Sequence, residues 1–485
     1  MDLEEITRRL LHMGLEQNDI LNHLIKLGLS NEFSNALLQE IENCESLAGM
    51  NEEIKELIRF DPTGLQAGSA GLGSRGEGDF TIHHAIARLC SSASDSPGDK
   101  EIDHTSVKST SLGDDGMGTP VITPIQQDDG GVIRTKNGDF IIVSVDGLHS
   151  RLGHWPFLAG FHVARACIRD VLVMGGNPIA LFSDIHIGTN GDPASILEYT
   201  AGITTVGDTL KVPLIAGSTL RIGGDLVLGD RLSGAAGCIG LAAVITPRKN
   251  VEPGDVLIMT KGSGGGTISA TAIFNEKGKV LEETLNLDFI KFTLKLLDSG
   301  IIPNIHALTD VTNGGIRGDL TEISTTAGVD IIFNPDIFLS LINPRVLKML
   351  ESLNIDPLGI SIDSLLIICP RSEKEIVLEF ISRNKMDGNV IGYVETTNVN
   401  RDGDPGGGRV FTEYGWSDSD RDFEDRQGSG QLKRIELTPL FRESPYTLIK
   451  SVVDKDHTNP DEVKLRIEKA LERSEKKKQW MMRRL

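Results

Sequence analysis

Between residues 140 and 245 short β-branched runs alternate with longer helical ones, and this alternation commits the chain to an α/β architecture. The run "FIIVSVDGL" reads as a strand ending at Asp146. Pro156 then opens the helix "PFLAGFHVARACIRDVLVMGG", since its fixed φ and missing N–H suit a first helical turn, and Gly175 and Gly176 end it. The runs "PIALFSDIHIG" and "VPLIAGSTL" read as strands flanking the helix "PASILEYTAGITTVGDTL", and "GAAGCIGLAAVI" reads as a glycine-rich strand pair. From Pro247 the same alternation resumes. "VEPGDVLIMTKGSGGG" reads as turn, strand and glycine loop, with helices and strands following to "GNVIGYVE".

The two ends read differently. Over residues 1–60, Leu10, Leu11, Leu15, Ile20, Leu24, Leu27, Leu37, Leu38 and Ile41 recur at helical spacing, with Ser30 and Asn51 as N-caps, so a small helical bundle is expected. Residues 61–80 are glycine-rich but hold no GxxxxGK[ST] phosphate loop. Residues 400–431 are acidic and glycine-rich, and a last helix begins at Asn459-Pro460-Asp461-Glu462 and ends in "KKKQWMMRRL". The expected division is a helical extension at 1–60, α/β domains at 61–246 and 247–398, and a linker with a helical extension at 399–485.

Charge and cysteine usage narrow the function. A formal net charge of -20 opposes any general attraction to a nucleic-acid backbone, so no nucleic-acid partner is expected. No apolar run is long enough to span a bilayer, and the first residues lack a signal-peptide core, which gives a cytoplasmic expectation with no membrane partner. The five cysteines are scattered without a CxxC pair, so neither disulfides nor a zinc site is expected.

Five acids carry the chemistry. Asp114 and Asp115 stand between glycines in "SLGDDGM"; Asp146 ends a strand; Asp170 lies among apolar residues in a helix; Asp310 precedes Gly314-Gly315. A charged Asp in an apolar setting costs several kcal/mol unless it is paired or bound to metal. For Asp170 the plainer reading is an ion pair with Arg165 or Arg169; for Asp146 and Asp310 it is a cap or turn acid. Carboxylates converging on Mg²⁺ explain all of them together, since Mg²⁺ prefers oxygen ligands and bridges nucleotide phosphates.

The order of these motifs resembles the aminoimidazole-ribonucleotide (AIR) synthetase superfamily. Its GDDAA element corresponds to Gly113-Asp114-Asp115-Gly116, its strand-end Asp segment to "DGLHSRL", and its "SDlaaMGAxP" helix end to Arg169 through Pro178. Gly254-Asp255, Asp310 through Gly315, and "DSLLIICP" with "IGYV" continue the pattern over residues 68–396. The resemblance implies a two-domain α/β (α+β) fold whose N-terminal domains pair into a β-barrel across a homodimer, with helical extensions at both ends. It implies ATP and Mg²⁺ as cofactors. Asp114, Asp115, Asp146 and Asp170 become metal ligands, with Asp114 and Asp310 in catalytic roles. Gly113, Asp115, Gly71, Gly73, Gly217, Ser218 and Thr219 become nucleotide contacts, the glycine loop at 68–78 acting as a lid.

Two departures narrow the acceptor. No cysteine lies between residues 66 and 80, which points away from selenide chemistry, and the closing "MMRRL" has no cysteine to carry a carbamoyl group. Ser218 stands where the family places an acid or His. The expected function is a Mg²⁺-dependent, ATP-using kinase or synthetase (ligase) acting on an unidentified small-molecule or protein-bound acceptor. The alternative is a noncatalytic ATP-binding assembly or maturation factor that docks a protein partner through its terminal extensions.

Overall fold

The structure is a computed structural model that describes residues 3–46, 51–59, 61–65, 70–71, 77–90, 118–188, 191–222, 232–312, 314–397, 408–414, 434–438, 446 and 458–484. The first three helices, α1 (Leu3–His12), α2 (Gln17–Lys26) and α3 (Asn31–Ser46), bury Leu3, Ile20, Leu24, Leu37, Leu38 and Ile41 in a small core of their own. Asn51 caps α4 (Glu52–Ile58), its side chain accepting from the Ile54 N–H at 2.9 Å. Helix α5 (Glu77–Cys90) packs along the C-terminal helix Pro460–Arg484, where Arg88 pairs with Glu468 and Glu475. Arg466 from that last helix also donates to the Thr63 carbonyl at 3.1 Å, so the two ends of the chain are fastened together.

The first sheet holds β1 (Gly118–Ile122), β2 (Gly131–Thr135), β3 (Phe140–Gly147), β4 (Asn177–Gly188), β5 (Leu214–Ile222) and β6 (Leu232–Ala242), in the order β1-β2-β3-β6-β4-β5. Only β4 and β5 run parallel, and the connection between them contains α7 (Ala194–Leu210). Helix α6 (Pro156–Val173) covers one face together with α7. Those two helices touch backbone to backbone. A Cβ at Gly160 would lie 2.0 Å from the Tyr199 carbonyl oxygen, and one at Gly202 would lie 2.1 Å from that of Phe157. Glycine at the crossing is therefore a packing requirement.

The second sheet has seven strands, β7 (Asp255–Thr260), β8 (Ala307–Val311), β9 (Val329–Phe333), β10 (Ser364–Pro370), β11 (Gly388–Thr396), β12 (Val410–Glu413) and β13 (Arg434–Glu436). Their order is β13-β12-β9-β11-β7-β10-β8. Every residue of β7, β8 and β9 is buried, including the acids Asp255, Asp310 and Asp330 that interrupt their apolar sequences. Between them lie α8 (Gly266–Phe274), α9 (Gly278–Thr284), α10 (Asp288–Leu297) and α11 (Gly315–Ala327). One continuous apolar core joins both sheets through α6.

One expectation is corrected here. The run "GAAGCIGLAAVI" lies mostly within the single strand β6, because its glycines serve close approach instead of turning the chain. A Cβ at Gly237 would enter the Phe182 ring, and one at Gly240 would strike Val171. No closed barrel is formed among the described residues; β1 and β5 stand at the open edges of the first sheet. No described helix is long and apolar enough to cross a membrane.

Candidate functional site

Helix α6 brings the site together. Ser144 of β3 donates through its hydroxyl to the Cys167 carbonyl at 2.7 Å, which locks α6 against the strand and sets Asp170 one turn further on, beside the strand end at Asp146. Strand β8 approaches α6 from the other sheet and delivers Asp310, itself 1% exposed. The Asp170 carboxyl is held well above the usual carboxylate range. Enclosure is the first cause and the nearby Asp310 the second; Asp146 and Asp129 add to the rise, and only Arg169 opposes it. Four carboxylates therefore crowd one region.

The arginines of α6 are committed elsewhere. Arg169 donates through Nε to Asp310 Oδ2 and through Nη1 to Asp363 Oδ1, while Arg165 donates to Asp363 Oδ2. Thr312 Oγ1 donates to Asp310 Oδ1 at 3.2 Å. The plainer alternative, an ion pair of Asp170 with Arg165 or Arg169, is not what forms: the arginines bond Asp310 and Asp363 instead. The network continues inward: Arg165 Nη1 bonds the Thr284 carbonyl at 2.7 Å, and His162 Nε2 lies 2.7 Å from Ser269 Oγ. Burial, then the Arg165 charge, push the His162 pKa well below its ordinary value, so this imidazole stays neutral.

A second Asp pair, Asp128-Asp129 in "QDDGG", was missed by reading the sequence. It lies against Arg248, which is fully buried and meets Asp129 at 2.7 Å, Asp319 at 3.8 Å, Asp128 at 3.9 Å and Glu322 closer still. Arg248 Nη2 also donates to Thr309 Oγ1 at 2.8 Å. One guanidinium faces four carboxylates, and Asp128 Oδ1 has no hydrogen-bond partner. Burial pushes the Asp128 carboxyl up to about 7, against the pull of Arg248. The readable signal was an Asp pair followed by glycine and a strand, the same pattern as in "SLGDDGM".

That shift has a testable sign. A carboxyl whose folded pKa is raised costs stability once ionised, so the cost is absent at acid pH and grows as pH rises from about 4 towards about 7. With metal chelated, Asp128→Asn is expected to unfold at a denaturant concentration only slightly above that of wild type at pH 4.5, where most of the cost is still absent. At pH 8 it should be more stable by on the order of 2–3 kcal/mol. Chemical denaturation at the two pH values checks it; an equal shift at both would contradict the assignment.

Past Asp146 the loop turns through His149, whose Nε2 lies 3.5 Å from Thr267 Oγ1 of α8 and 3.5 Å from the Tyr446 hydroxyl. A Cβ at Gly266 would sit 3.6 Å from the His149 side chain, so the glycine loop before α8 closes directly over this histidine.

The other candidate residues fall in different places. Gly113, Asp114, Asp115 and Gly73 lie outside the described residues. Gly71 is buried at φ +75°, against Gly78 of α5. Gly217, Ser218 and Thr219 are exposed on edge strand β5, three strand spacings (roughly 14 Å) from β3. The structure therefore gathers Asp146, Asp170 and Asp310, adds Asp129, and leaves the β5 residues apart. Among the described residues no three His, Cys, Asp or Glu side chains form a closed metal-ligand set. The donors nonetheless suit a hard divalent cation, since they are carboxylates and their oxygens are hard ligands.

Residues 127–242 match the N-terminal domain of AIR synthase related proteins, and residues 252–401 match the C-terminal domain. The first match begins at the Asp128-Asp129 pair, beyond Gly113-Asp114-Asp115. An uncharacterized protein of Methanocaldococcus jannaschii is 40% identical over 497 aligned positions, covering 99% of this chain and 98% of that protein. The selenide, water dikinase of Aeromonas salmonicida is 29% identical over 216 positions; the match covers 44% of this chain and 60% of the dikinase. The hydrogenase maturation protein HypE of E. coli superposes with a TM-score of 0.45 at 20% identity, covering 62% of this chain and 87% of HypE.

Proposed function

The chain belongs to the AIR synthase related family, and from that premise we propose that it transfers the γ-phosphoryl group of ATP, with Mg²⁺, to a small-molecule or protein-bound acceptor. The observation that carries the proposal is the convergence of Asp146 at the end of β3, Asp170 of α6 and Asp310 of β8, with Asp129 nearby, where burial first and the neighbouring acids second raise the Asp170 carboxyl. Asp146, Asp170, Asp129 and Asp310 would hold the cation, joined by Asp114 and Asp115. Bound Mg²⁺ supplies charge neutralisation for the phosphoryl group in flight. The chain's own part is to hold the acids in place through α6, β3 and β8 and to position the acceptor; positioning is where such reactions gain most of their rate. Residues 61–246 would form the nucleotide and metal domain, and 247–398 the acceptor-side domain. The relative named as a dikinase supports a phosphoryl acceptor chemistry, and the absence of cysteine at 66–80 argues against selenide as that acceptor. ATP consumption with the γ-phosphate followed tests it: ADP with a phosphorylated product means kinase, and ADP with free phosphate means synthetase.

A homodimer is part of the proposal. The face of the first sheet opposite α6 carries Ile133, Ile141, Val143, Val145, Ile239 and Leu241, with Val145 62% and Leu241 44% exposed. So broad an apolar face on a sheet covered on one side calls for a second copy, which would close the barrel. Ile133→Arg with Leu241→Arg is expected to yield a monomer in light scattering where wild type is a dimer. A dimer of unchanged mass in the variant would reject this face.

The second reading, a noncatalytic assembly factor, is favoured by the self-contained core of α1–α3. Partner binding that survives neutralisation of the acids, with no ATP turnover under any condition, would decide for it.

A further inference from the structure

We infer that Asp363 is a positioning residue of the cation site: it shares Arg169 with Asp310 and so sets how much of the Asp310 carboxylate is left for a divalent ion. This rests on the divalent-cation part of the reading above. Arg169 stands where the family's helix-end pattern opens with serine, so the shared guanidinium is a feature of this chain and not of that pattern.

Asp363 sits at φ +58°, in the left-handed region that side chains other than Asn and Asp seldom enter. Its backbone is fastened there. The Asp363 N–H donates to the Val311 carbonyl at 3.0 Å, and the Gly264 N–H donates to the adjoining Ile362 carbonyl at 2.8 Å. This turn leads into β10, whose Leu365 lies opposite Asp310 of β8, so Asp363 and Asp310 reach α6 from paired strands. The Asp363 side chain is buried; one of its oxygens takes Arg165, and the other takes Arg169, which also donates through Nε to Asp310. Two arginines thus balance two carboxylates in the order Arg165, Asp363, Arg169, Asp310. Burial by itself would raise the Asp363 carboxyl, but Arg169 and then Arg165 hold it below the ordinary carboxylate range, so it is ionised at neutral pH.

Arg165 fixes the far end of this row. Its Nη1 donates to the Thr284 carbonyl at 2.7 Å and lies 3.2 Å from His162 Nδ1. A guanidinium can only donate, so Nδ1 is the acceptor and Nε2 carries the proton towards Ser269 Oγ. The guanidinium that can redistribute between its partners is therefore Arg169. Removing the Asp363 charge leaves Arg169 undivided on Asp310 and weakens the hold on a cation. Removing the Arg165 charge lets Asp363 draw more of Arg169 and strengthens that hold. A pair with a merely structural role would not move the two in opposite directions.

The test is Mn²⁺ binding to the full chain, read from the electron paramagnetic resonance of the free ion and counting only the binding that Asp170→Asn abolishes. Asp363→Asn keeps the side-chain shape and tolerates the positive φ while removing the charge. It is expected to weaken Mn²⁺ binding about tenfold, and Arg165→Gln to tighten it about threefold, although both should melt earlier than wild type. In Arg165→Gln/Asp363→Asn the residue through which Arg165 acts is gone, so binding should stay about tenfold weak while the melting temperature recovers towards wild type. This charge-balanced variant decides the matter even where a single variant fails to fold. Wild-type affinity in the double variant, or Arg165→Gln binding no tighter than wild type, overturns the inference while leaving the cation reading intact. A wild type with no Mn²⁺ binding sensitive to Asp170→Asn defeats the cation reading, and this inference with it.

Discussion

Asp170→Asn is expected to make the metal-free protein more stable and the Mg²⁺- and ATP-dependent protein inactive. Both effects have one cause. Asp170 is enclosed beside Asp310, Asp146 and Asp129, so its ionised form is disfavoured in the folded chain. The amide keeps the shape and removes the charge. With chelator at pH 8 the gain should be about 1–2 kcal/mol, seen as a rise of a few degrees in melting temperature. A carboxyl with a raised folded pKa costs stability only where it is ionised, so the gain should shrink as pH falls towards the ordinary carboxylate range. With Mg²⁺ present the order reverses: wild type should gain stability on adding ATP, the variant should not, and ATP consumption should fall at least about 100-fold. A variant that is less stable in chelator would mean that Asp170 makes a structural ion pair.

The largest loss of stability is expected at Arg248. Asp128, Asp129, Asp319 and Glu322 surround its guanidinium, and the arginine is fully buried. Arg248→Met would fill most of the volume and leave the carboxylates with no cation at the centre, a change that costs about 3–5 kcal/mol for a single broken buried pair. With several acids affected at once, failure to accumulate as folded protein is the expected outcome. Arg248→Lys should recover part of the loss, because a point charge restores the sign but cannot bond in several directions as a planar guanidinium does. Raising Mg²⁺ should not rescue Arg248→Met if the arginine is structural; full rescue would show that a cation can replace it. Soluble expression, circular dichroism and melting in both conditions decide this.

How much of this could be read in advance depended on whether the cause was local. Pro156 opens α6, and Asn51 caps α4 through its side chain, because a proline ring and an Asx oxygen act within one helical turn. The β-branched runs of β3 and β4 were equally plain. The glycines of β6 were not, since Gly237 answers to Phe182 on a neighbouring strand and Gly240 to Val171 on a helix. In the site, an acid among apolar residues marks Asp170 on sight, but its neighbours come from β3 and β8, which only the fold assembles. Arg248 sits in the polar stretch "TPRKNVEPGD", where nothing local distinguishes a buried arginine from a solvated one. Asp128-Asp129 shares its following glycine with Asp114-Asp115 but is preceded by Gln127 where the other pair has Gly113, and only the fold brings Arg248 against it. Tyr446 could not have been found at all, for its partner lies 297 residues away.

The most direct measurement is a calorimetric titration of ATP into wild type and Asp170→Asn, each with Mg²⁺ and with chelator. The account predicts heat of binding in wild type with Mg²⁺, a large loss of affinity in chelator, and the same weak binding in the variant whether or not Mg²⁺ is present. Equal ATP affinity in all four titrations would contradict it.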